Sequence, residues 1–172
     1  MTAFNNAATS FSGAGHNHQG CVDYALRAAE RVCAERGLRL TRLRRRVLEL
    51  VWASHAPAGA YELLARLKTE QARAAPPTVY RALDFLLANG LIHRIESRNA
   101  YVGCVHPDGA HGGQFLICSD CGAAAEVHDP RLDAAIARRA EELGFAVRRK
   151  TVEVQGLCQP CQGRREEGPD AR

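Results

Sequence analysis

The chain has 172 residues, a net charge of +4 and 46% hydrophobic residues, which suits one large domain or two small ones. It has no run of about 18 apolar residues that could span a membrane, and residues 1–20 lack the basic and apolar segments of a secretory signal. We therefore expect a cytoplasmic protein with no membrane contact, in which the seven cysteines are metal ligands or reduced thiols rather than disulfides.

The charge is unevenly distributed along the chain. Residues 1–103 contain 14 Lys and Arg against 8 Asp and Glu, whereas residues 104–172 contain 9 against 11. This asymmetry favours polyanion binding by the first part only. The composition predicts five regions: a disordered arm at 1–20, a basic domain at 21–103, a hinge at 104–113, a second domain at 114–161 and a mobile tail at 162–172.

The basic domain is predicted to contain four helices and a hairpin. Apolar residues at helical spacing predict helices over 21–37, 42–54, 59–72 and 75–90. Thr41 is a predicted N-cap of the second helix, and Gly follows the first and the last. Two strand-like runs, "LIHRIES" and "AYVGC", come next and are separated by a polar turn. Helices followed directly by a hairpin are typical of a winged helix-turn-helix domain.

The second domain is predicted to be a small α/β unit, which makes the chain an α+β protein. The runs "QFLIC" and "AAAEVH" predict two strands on either side of a pair of cysteines. A helix is expected over 129–144, since Pro130 follows a capping Asp129 and Gly144 ends the pattern. The alternating segment 145–156 predicts a further strand that leads to "LCQPC".

Two pairs of cysteines predict a structural zinc site. Cys118 and Cys121 form one CxxC motif, and Cys158 and Cys161 form another after 36 intervening residues. Zinc prefers four tetrahedral thiolates in closed sites, and strands on either side of a helix can bring two such motifs together. A redox pair is the first alternative, but a redox CxxC is expected to open a helix, and here the first pair joins strands. Four unrelated buried thiols would require two coincidences of spacing.

A second group of potential metal ligands surrounds the hairpin and the hinge. Its members are His93, Cys104, His106, His111, Glu126 and His128. A metal held by four of them would tie the basic domain to the acidic one; these four are His93, Cys104, His111 and Glu126. Spacing alone leaves simpler roles open, because a lone His on a strand is usually hydrogen-bonded and a lone Cys is a small buried hydrophobe.

The stretches "PPTVYRALDFLLANGLIHRIES", "NAYVGC", "FLICSDCG" and the final CxxC resemble the ferric uptake regulator family, and within it the zinc uptake regulator branch. The resemblance covers residues 22–161. It implies a regulatory zinc held by His93, Cys104, His111 and Glu126, and a structural zinc held by the four paired cysteines. Each subunit would therefore bind two Zn²⁺ ions. A thiolate ligand also favours zinc over Fe²⁺ or Mn²⁺ on grounds of hardness.

The resemblance further implies a transcriptional repressor of zinc-uptake genes, with zinc as co-repressor, and not an enzyme. It implies a homodimer, built through the C-terminal domain, that binds double-stranded DNA at an AT-rich inverted repeat. The nearest alternative is a regulator of the same fold that senses iron, manganese or peroxide. A zinc deaminase is disfavoured because its PCxxC signature is incomplete, and a thiol oxidoreductase using one CxxC would hold no tightly bound zinc.

Candidate DNA contacts lie on the second helix of the helix-turn-helix motif, expected at 77–89. Its leading face offers Thr78, Tyr80 and Arg81, and Arg81 is suited to reading guanine. Tyr61 matches a position at which the family contacts DNA, although Tyr61 and Tyr80 could instead pack partly into the core. Some of the run Arg42, Arg45 and Arg46 must face outward, as phosphate contacts or as a solvated helix face.

Five further residues with metal-binding side chains have no assigned role. They are His16, His18, Cys21, His106 and His128. Three of them lie in or next to the predicted arm, for which disorder is the preferred interpretation, and the two others are interpreted as surface residues. An additional metal site that involves some of them stays open at this stage.

Overall fold

The structure of the chain is a computed structural model that describes residue 11 and residues 18–107 and 113–166. Its N-terminal part, the winged domain, contains four helices and a three-stranded sheet. These are α1 (His18–Glu35), α2 (Arg42–Trp52), β1 (Ala58–Gly59), α3 (Ala60–Glu70), α4 (Pro76–Ala88), β2 (Ile92–Ile95) and β3 (Ala100–Gly103). The sheet has the antiparallel order β1-β3-β2. The predicted winged helix-turn-helix is confirmed.

Local sequence signals determine where these helices begin and end. The Thr41 side chain accepts a hydrogen bond from the Arg44 N–H at 3.4 Å and caps α2. Pro76 occupies the first turn of α4, where its missing N–H is no loss, and Gly90 follows that helix with a positive φ of 69°. The four helices share one apolar core, which includes Val47, Leu63, Leu83 and Leu86.

The C-terminal domain contains a second three-stranded sheet and two helices. Its elements are β4 (Gly113–Cys118), β5 (Ala124–Glu126), α5 (Pro130–Glu142), β6 (Thr151–Gly156) and α6 (Gln159–Glu166). The strand order is β5-β4-β6, with β5 antiparallel and β6 parallel to β4. Helix α5 forms the crossover between the parallel strands, so the end of β6 lies beside the end of β4.

Several predicted elements differ from the observed ones. The strand predicted over 145–156 is wrong for residues 145–150, since the observed strand β6 begins at Thr151, opposite Gly113, the first described residue of β4. Helix α1 begins at His18, within the predicted arm, and α6 extends to Glu166, within the predicted tail. The two-residue strand β1 was not predicted.

The wing packs directly on the sheet of the C-terminal domain. Ile95, the last residue of β2, is fully buried in a cluster with Phe115, Ile117 and Ala124. The Ala124 N–H also donates a hydrogen bond to the carbonyl oxygen of His55 at 3.2 Å, in the loop after α2. The wing strand therefore belongs to the cores of both domains. None of the helices in the described ranges is both long and apolar enough to cross a membrane.

Candidate functional site

The turn between β4 and β5 and the start of α6 bring four cysteines together. Cys118 ends β4 and Cys121 lies in the turn, while Cys158 directly precedes α6 and Cys161 lies in its first turn. The four Sγ atoms lie within 4.8 Å of one another, and those of Cys121 and Cys158 are 3.8 Å apart. Four sulfurs about 2.3 Å from one central zinc would lie about 3.8 Å apart, so this cluster fits a tetrahedral zinc.

The electrostatics of this cysteine cluster favour a bound cation. Hydrogen bonds from the backbone N–H groups of Cys158 and Cys121 lower the pKa of Cys118 to about 6, which makes it a thiolate at neutral pH. Burial, and then hydrogen bonds with the three neighbouring thiols, raise the pKa of Cys161 to about 12. Arg164 also donates to the Cys161 Sγ at 2.7 Å. A zinc ion binds deprotonated sulfurs and would hold these thiols as thiolates.

The two CxxC motifs differ in their local structure. The expectation that a CxxC joins strands here holds for the first pair, whereas Cys158 and Cys161 open helix α6, as a redox CxxC does. The convergence of all four sulfurs is a stronger criterion, because a dithiol oxidoreductase needs only one pair. The geometry therefore favours a closed metal site.

A second cluster joins the wing to the C-terminal sheet. His93 lies on β2, Cys104 directly follows β3 and Glu126 is the last residue of β5. Their ligand atoms lie within 4.8 Å of one another, and the His93 Nε2 is 2.9 Å from the Glu126 Oε1. We call these three residues the hairpin cluster. His111, the fourth predicted ligand, lies outside the described residues.

The hairpin cluster is buried and held in place by its neighbours. Cys104 and Glu126 are 2% and 5% exposed, which is a costly position for a carboxylate without compensation. The Val105 N–H donates to the Glu126 Oε2 at 3.0 Å, and the His93 ring packs edge-on against Phe115 at 5.2 Å between ring centroids. One imidazole, one thiolate and one carboxylate form a ligand set that fits zinc and leaves a fourth position.

The other potential ligands among the described residues are not members of either cluster. His106 and His128 are exposed, and Cys21 packs against the helical core of the winged domain. His16 and the side chain of His18 lie outside the described residues. Among the described residues, the two clusters above are the groups of three or more such side chains that could hold a metal ion.

The predicted DNA-contact residues lie on three helices of the winged domain, α2, α3 and α4. On α4, Arg81 is exposed, Tyr80 is 39% exposed and Thr78 is half-buried. Tyr61, near the start of α3, is 75% exposed, so it does not pack into the core. The exposed face of α4 therefore offers a guanidinium and a phenol to a ligand in solution.

The arginine run of α2 is partly neutralised within the protein. Arg45 forms ion pairs with Glu30 and Glu49, and Arg46 does so with Glu49 and Glu70. The pKa of Arg46 is raised above its usual value, mainly by the hydrogen bond to Glu70. Arg42 is exposed at the start of the helix. These ion pairs lower the positive charge that Arg45 and Arg46 present to a polyanion.

Sequence reasoning missed the side chains that support the hairpin cluster. Trp52 packs on Gly103, where an added Cβ would lie 2.1 Å from the indole ring, next to Cys104. Phe115 fixes the His93 ring from the other domain. The apolar patterns of α2 and β4 predict that both aromatic residues are buried, but not that they meet the wing.

The N-terminal domain has a winged helix-turn-helix fold, which is a nucleic-acid-binding fold. It shares a cluster of metal ligands with the second domain, which also contains the cysteine cluster. The fold and the site therefore define a metal-binding protein of a nucleic-acid-binding class. The model of the Ferric uptake regulator family matches residues 35–155. The chain belongs to the ferric uptake regulator family.

Similar proteins include zinc uptake regulators. The chain is 41% identical over 137 residues to the zinc uptake regulation protein of Escherichia coli K12, with 79% of this chain and 80% of the relative covered. A solved zinc uptake regulator in complex with zinc and DNA superimposes with a TM-score of 0.79 at 37% identity, covering 88% of this chain and 99% of the other. Holo XcZur gives 0.76 at 47% identity, covering 83% and 99%.

Proposed function

We propose that this protein is a zinc-responsive DNA-binding repressor of zinc-uptake genes, in which zinc acts as co-repressor, and not an enzyme. The observation that carries the proposal is that the hairpin cluster takes ligands from both domains. His93 and Cys104 belong to the wing, whereas Glu126 belongs to the C-terminal sheet. The similarity to zinc uptake regulators, one of them solved with zinc and DNA, supports the same function.

Two zinc ions per subunit are proposed. The cysteine cluster would hold a structural ion, because four thiolates leave no open position for chemistry. The hairpin cluster would hold the regulatory ion, with His111 as its fourth ligand. The thiolate of Cys104 favours zinc over the harder Fe²⁺ and Mn²⁺.

The switch that we infer is a shift between arrangements of the two domains. The regulatory zinc supplies a shared positive charge for ligands of both domains. His93 and Cys104 then hold the wing on the side of the sheet that carries Glu126, and orientations in which these side chains are apart lose population. Switching from 1% to 99% occupancy requires about a 10⁴-fold preference for the closed arrangement.

We place the DNA-reading surface on α4 and on the start of α3, which carries Tyr61. Arg81 is suited to bidentate contact with guanine, while Thr78, Tyr80 and Tyr61 are suited to phosphate or thymine methyl contacts. Arg42 is the best placed of the α2 arginines to attract phosphate, since Arg45 and Arg46 are held by carboxylates.

The active species that we propose is a cytoplasmic homodimer that binds an AT-rich inverted repeat. The C-terminal domain exposes large apolar side chains that a second copy could cover, namely Leu143, Phe145, Val147 and Val154. A two-fold symmetric dimer would present two copies of α4, which accounts for an inverted repeat in the operator.

The proposal is tested by DNA binding across a buffered zinc series, with a duplex selected by the zinc-loaded protein from a random-sequence pool. His93→Ala and Cys104→Ser are expected to abolish the zinc response while leaving a folded dimer. His128→Ala and Cys21→Ser are the matched controls, because these residues lie outside both clusters. An unchanged zinc response in His93→Ala, or an equal response to Mn²⁺ at the same free concentration, would refute the proposal.

A further inference from the structure

The turn between the two main strands of the wing is held by the C-terminal domain. This wing turn is the short 3-10 segment Glu96–Arg98. The Glu153 carboxylate, on β6, accepts hydrogen bonds from the N–H groups of Glu96 at 2.6 Å and Ser97 at 3.1 Å. Arg149 forms an ion pair with the Glu96 side chain at 2.6 Å. Glu153 and Arg149, both more than fifty positions away in sequence, therefore hold the backbone and one side chain of the wing turn.

The side chain of Arg98, the last residue of the wing turn, contacts backbone carbonyl groups at the cysteine cluster. The Arg98 guanidinium donates to the carbonyl oxygen of Cys118 at 3.1 Å and to that of Gly122 at 3.4 Å. Gly122 has a positive φ of 77°, and a Cβ there would lie 3.1 Å from the Arg98 Nη1. The turn that contains the first CxxC motif, which we call the first cysteine turn, therefore directs two of its carbonyl groups towards the wing.

The direction of the pKa shift of Glu153 is consistent with its hydrogen bonds to the wing turn. Burial alone would raise the pKa of the Glu153 carboxyl, but the hydrogen bonds from Ser97 and Glu96 outweigh it and the pKa is lowered. The carboxylate is therefore charged at neutral pH. Hydrogen bonds to a charged acceptor are stronger than those between neutral groups.

These contacts share a strand with the regulatory cluster. His93 lies on β2, and Ile95 ends that strand in the core between the domains. The wing turn begins at the next residue. A force that fixes Glu96 against β6 therefore also fixes His93 near Glu126, although none of the side chains that make the contact belongs to the hairpin cluster.

We propose that the wing turn, Arg149, Glu153 and the carbonyl groups of residues 118 and 122 form a clasp that needs no metal at the hairpin cluster and sets the zinc concentration at which the protein closes. We call this set the wing clasp. The inference rests on the proposed zinc switch and adds its set point. The apparent dissociation constant of a ligand equals its intrinsic value divided by the fraction of protein in the competent arrangement, and the wing clasp raises that fraction.

The wing clasp also couples the two clusters. Because Arg98 binds carbonyls of the first cysteine turn, a change in that turn alters the position of the wing. Coupling of this kind is reciprocal, so the integrity of the cysteine cluster contributes to zinc affinity at the hairpin cluster.

The test is a titration of the full-length dimer with buffered zinc, followed by intrinsic fluorescence. Trp52 is the only tryptophan of the chain and packs on Gly103, beside Cys104, so it reports on the hairpin cluster. Glu153→Gln and Arg98→Ala are each expected to raise the zinc midpoint about tenfold, and Arg98→Lys, which keeps the charge but not the forked donor, is expected to raise it less. Glu141→Gln and Arg138→Ala, exposed residues of α5, are the controls.

Amide hydrogen exchange at Glu96 and Ser97 shows whether the wing clasp has opened in each variant. Faster exchange together with a midpoint within twofold of the wild type would overturn the inference. If Glu153→Gln does not fold, Arg98→Ala and Arg98→Lys test the same inference through the contact of the wing turn with the first cysteine turn. DNA binding to the selected duplex is measured in parallel. A wild-type protein that binds zinc without a change in DNA affinity would refute the proposed function, while the midpoints would still decide the inference.

Discussion

The Nε2 of His93 lies 2.9 Å from the Oε1 of Glu126, and this contact joins a strand of the wing to the sheet of the C-terminal domain. Both side chains are largely withdrawn from solvent, and the Val105 N–H holds the other carboxylate oxygen. A ligand that requires both residues can bind only when the wing lies on the sheet.

Replacing the buried carboxylate tests its role as a ligand. Glu126→Gln keeps the shape of the side chain and an oxygen that accepts from Val105, but it removes the charge. We expect an intact fold, as judged by thermal unfolding, and a loss of zinc affinity at the hairpin cluster larger than the roughly 10- to 100-fold typical for loss of a residue that only supports a ligand. Glu141→Gln is the control. A variant with wild-type zinc affinity would exclude Glu126 from the site.

The close approach of Trp52 to the wing predicts a packing defect. Gly103→Ala would place a Cβ 2.1 Å from the indole ring, so the strand or the ring must move. Overpacking of this kind costs about 1–3 kcal/mol of unfolding free energy. Urea denaturation followed by Trp52 fluorescence measures the loss. Gly59→Ala, where no atom lies within 4 Å of the added Cβ, should change stability by much less.

Disruption of the cysteine cluster should remove one zinc and destabilise the C-terminal domain. Cys121→Ser is expected to lower the zinc content of the purified protein by about one ion per subunit, because thiolate is the preferred ligand in closed sites. The melting temperature should fall with it, since metal binding and folding are coupled in such sites. Metal analysis and calorimetry check both effects. Cys21→Ser should leave zinc content unchanged, and equal zinc in both variants would contradict the assignment.

The ion pairs of α2 predict that Arg81 and Arg45 differ in their contribution to DNA binding. Arg81→Ala on α4 should weaken binding to the selected duplex by about 1–3 kcal/mol, as expected for loss of a base contact. Arg45→Ala should have a smaller effect, because Glu30 and Glu49 already neutralise that side chain. Fluorescence anisotropy with the labelled duplex compares the two. An equal or larger loss for Arg45→Ala would show that its ion pairs break on DNA binding.

The lowered pKa of Glu153 predicts a pH dependence. A carboxyl whose pKa is lower in the folded state stabilises that state above its unfolded pKa of about 4.5, and the stabilisation disappears as pH falls through the folded value. The unfolding free energies of the wild type and Glu153→Gln should therefore differ at pH 7, and the difference should shrink as the pH falls below 4.5. Urea denaturation at pH 7 and at a series of lower pH values measures this. A difference that does not change with pH would show that the charge of Glu153 is not involved.

The helices could be predicted because their signals are local. Thr41, Pro76 and Gly90 mark helix ends in the sequence as they do in the structure. Residues 145–150 were wrongly predicted to be a strand. An alternating sequence pattern indicates that the two faces of a segment have different environments, but it does not indicate whether a neighbouring strand is present to pair with it. Strand β1 has only two residues, too few for any periodicity, and depends entirely on its partner β3.

The candidate site was predictable only in part. The CxxC spacings indicate ligand pairs directly, and the family resemblance selects His93, Cys104 and Glu126, which the structure brings within 4.8 Å. The contact of Arg98 with Cys118 and that of Glu153 with the wing turn have no such signal. They depend on β6 returning parallel to β4, which places Glu153 opposite Phe115, and on the packing of this sheet against the wing.

In the switch that we propose, zinc at the hairpin cluster fixes the winged domain on the C-terminal domain. Small-angle X-ray scattering of the dimer, with the cysteine cluster loaded and with or without a second equivalent of zinc, tests it most directly. We predict that the second equivalent lowers the radius of gyration and narrows the distance distribution, and that Glu126→Gln abolishes this change. Identical scattering profiles for wild-type protein with one and two bound zinc ions would contradict the account.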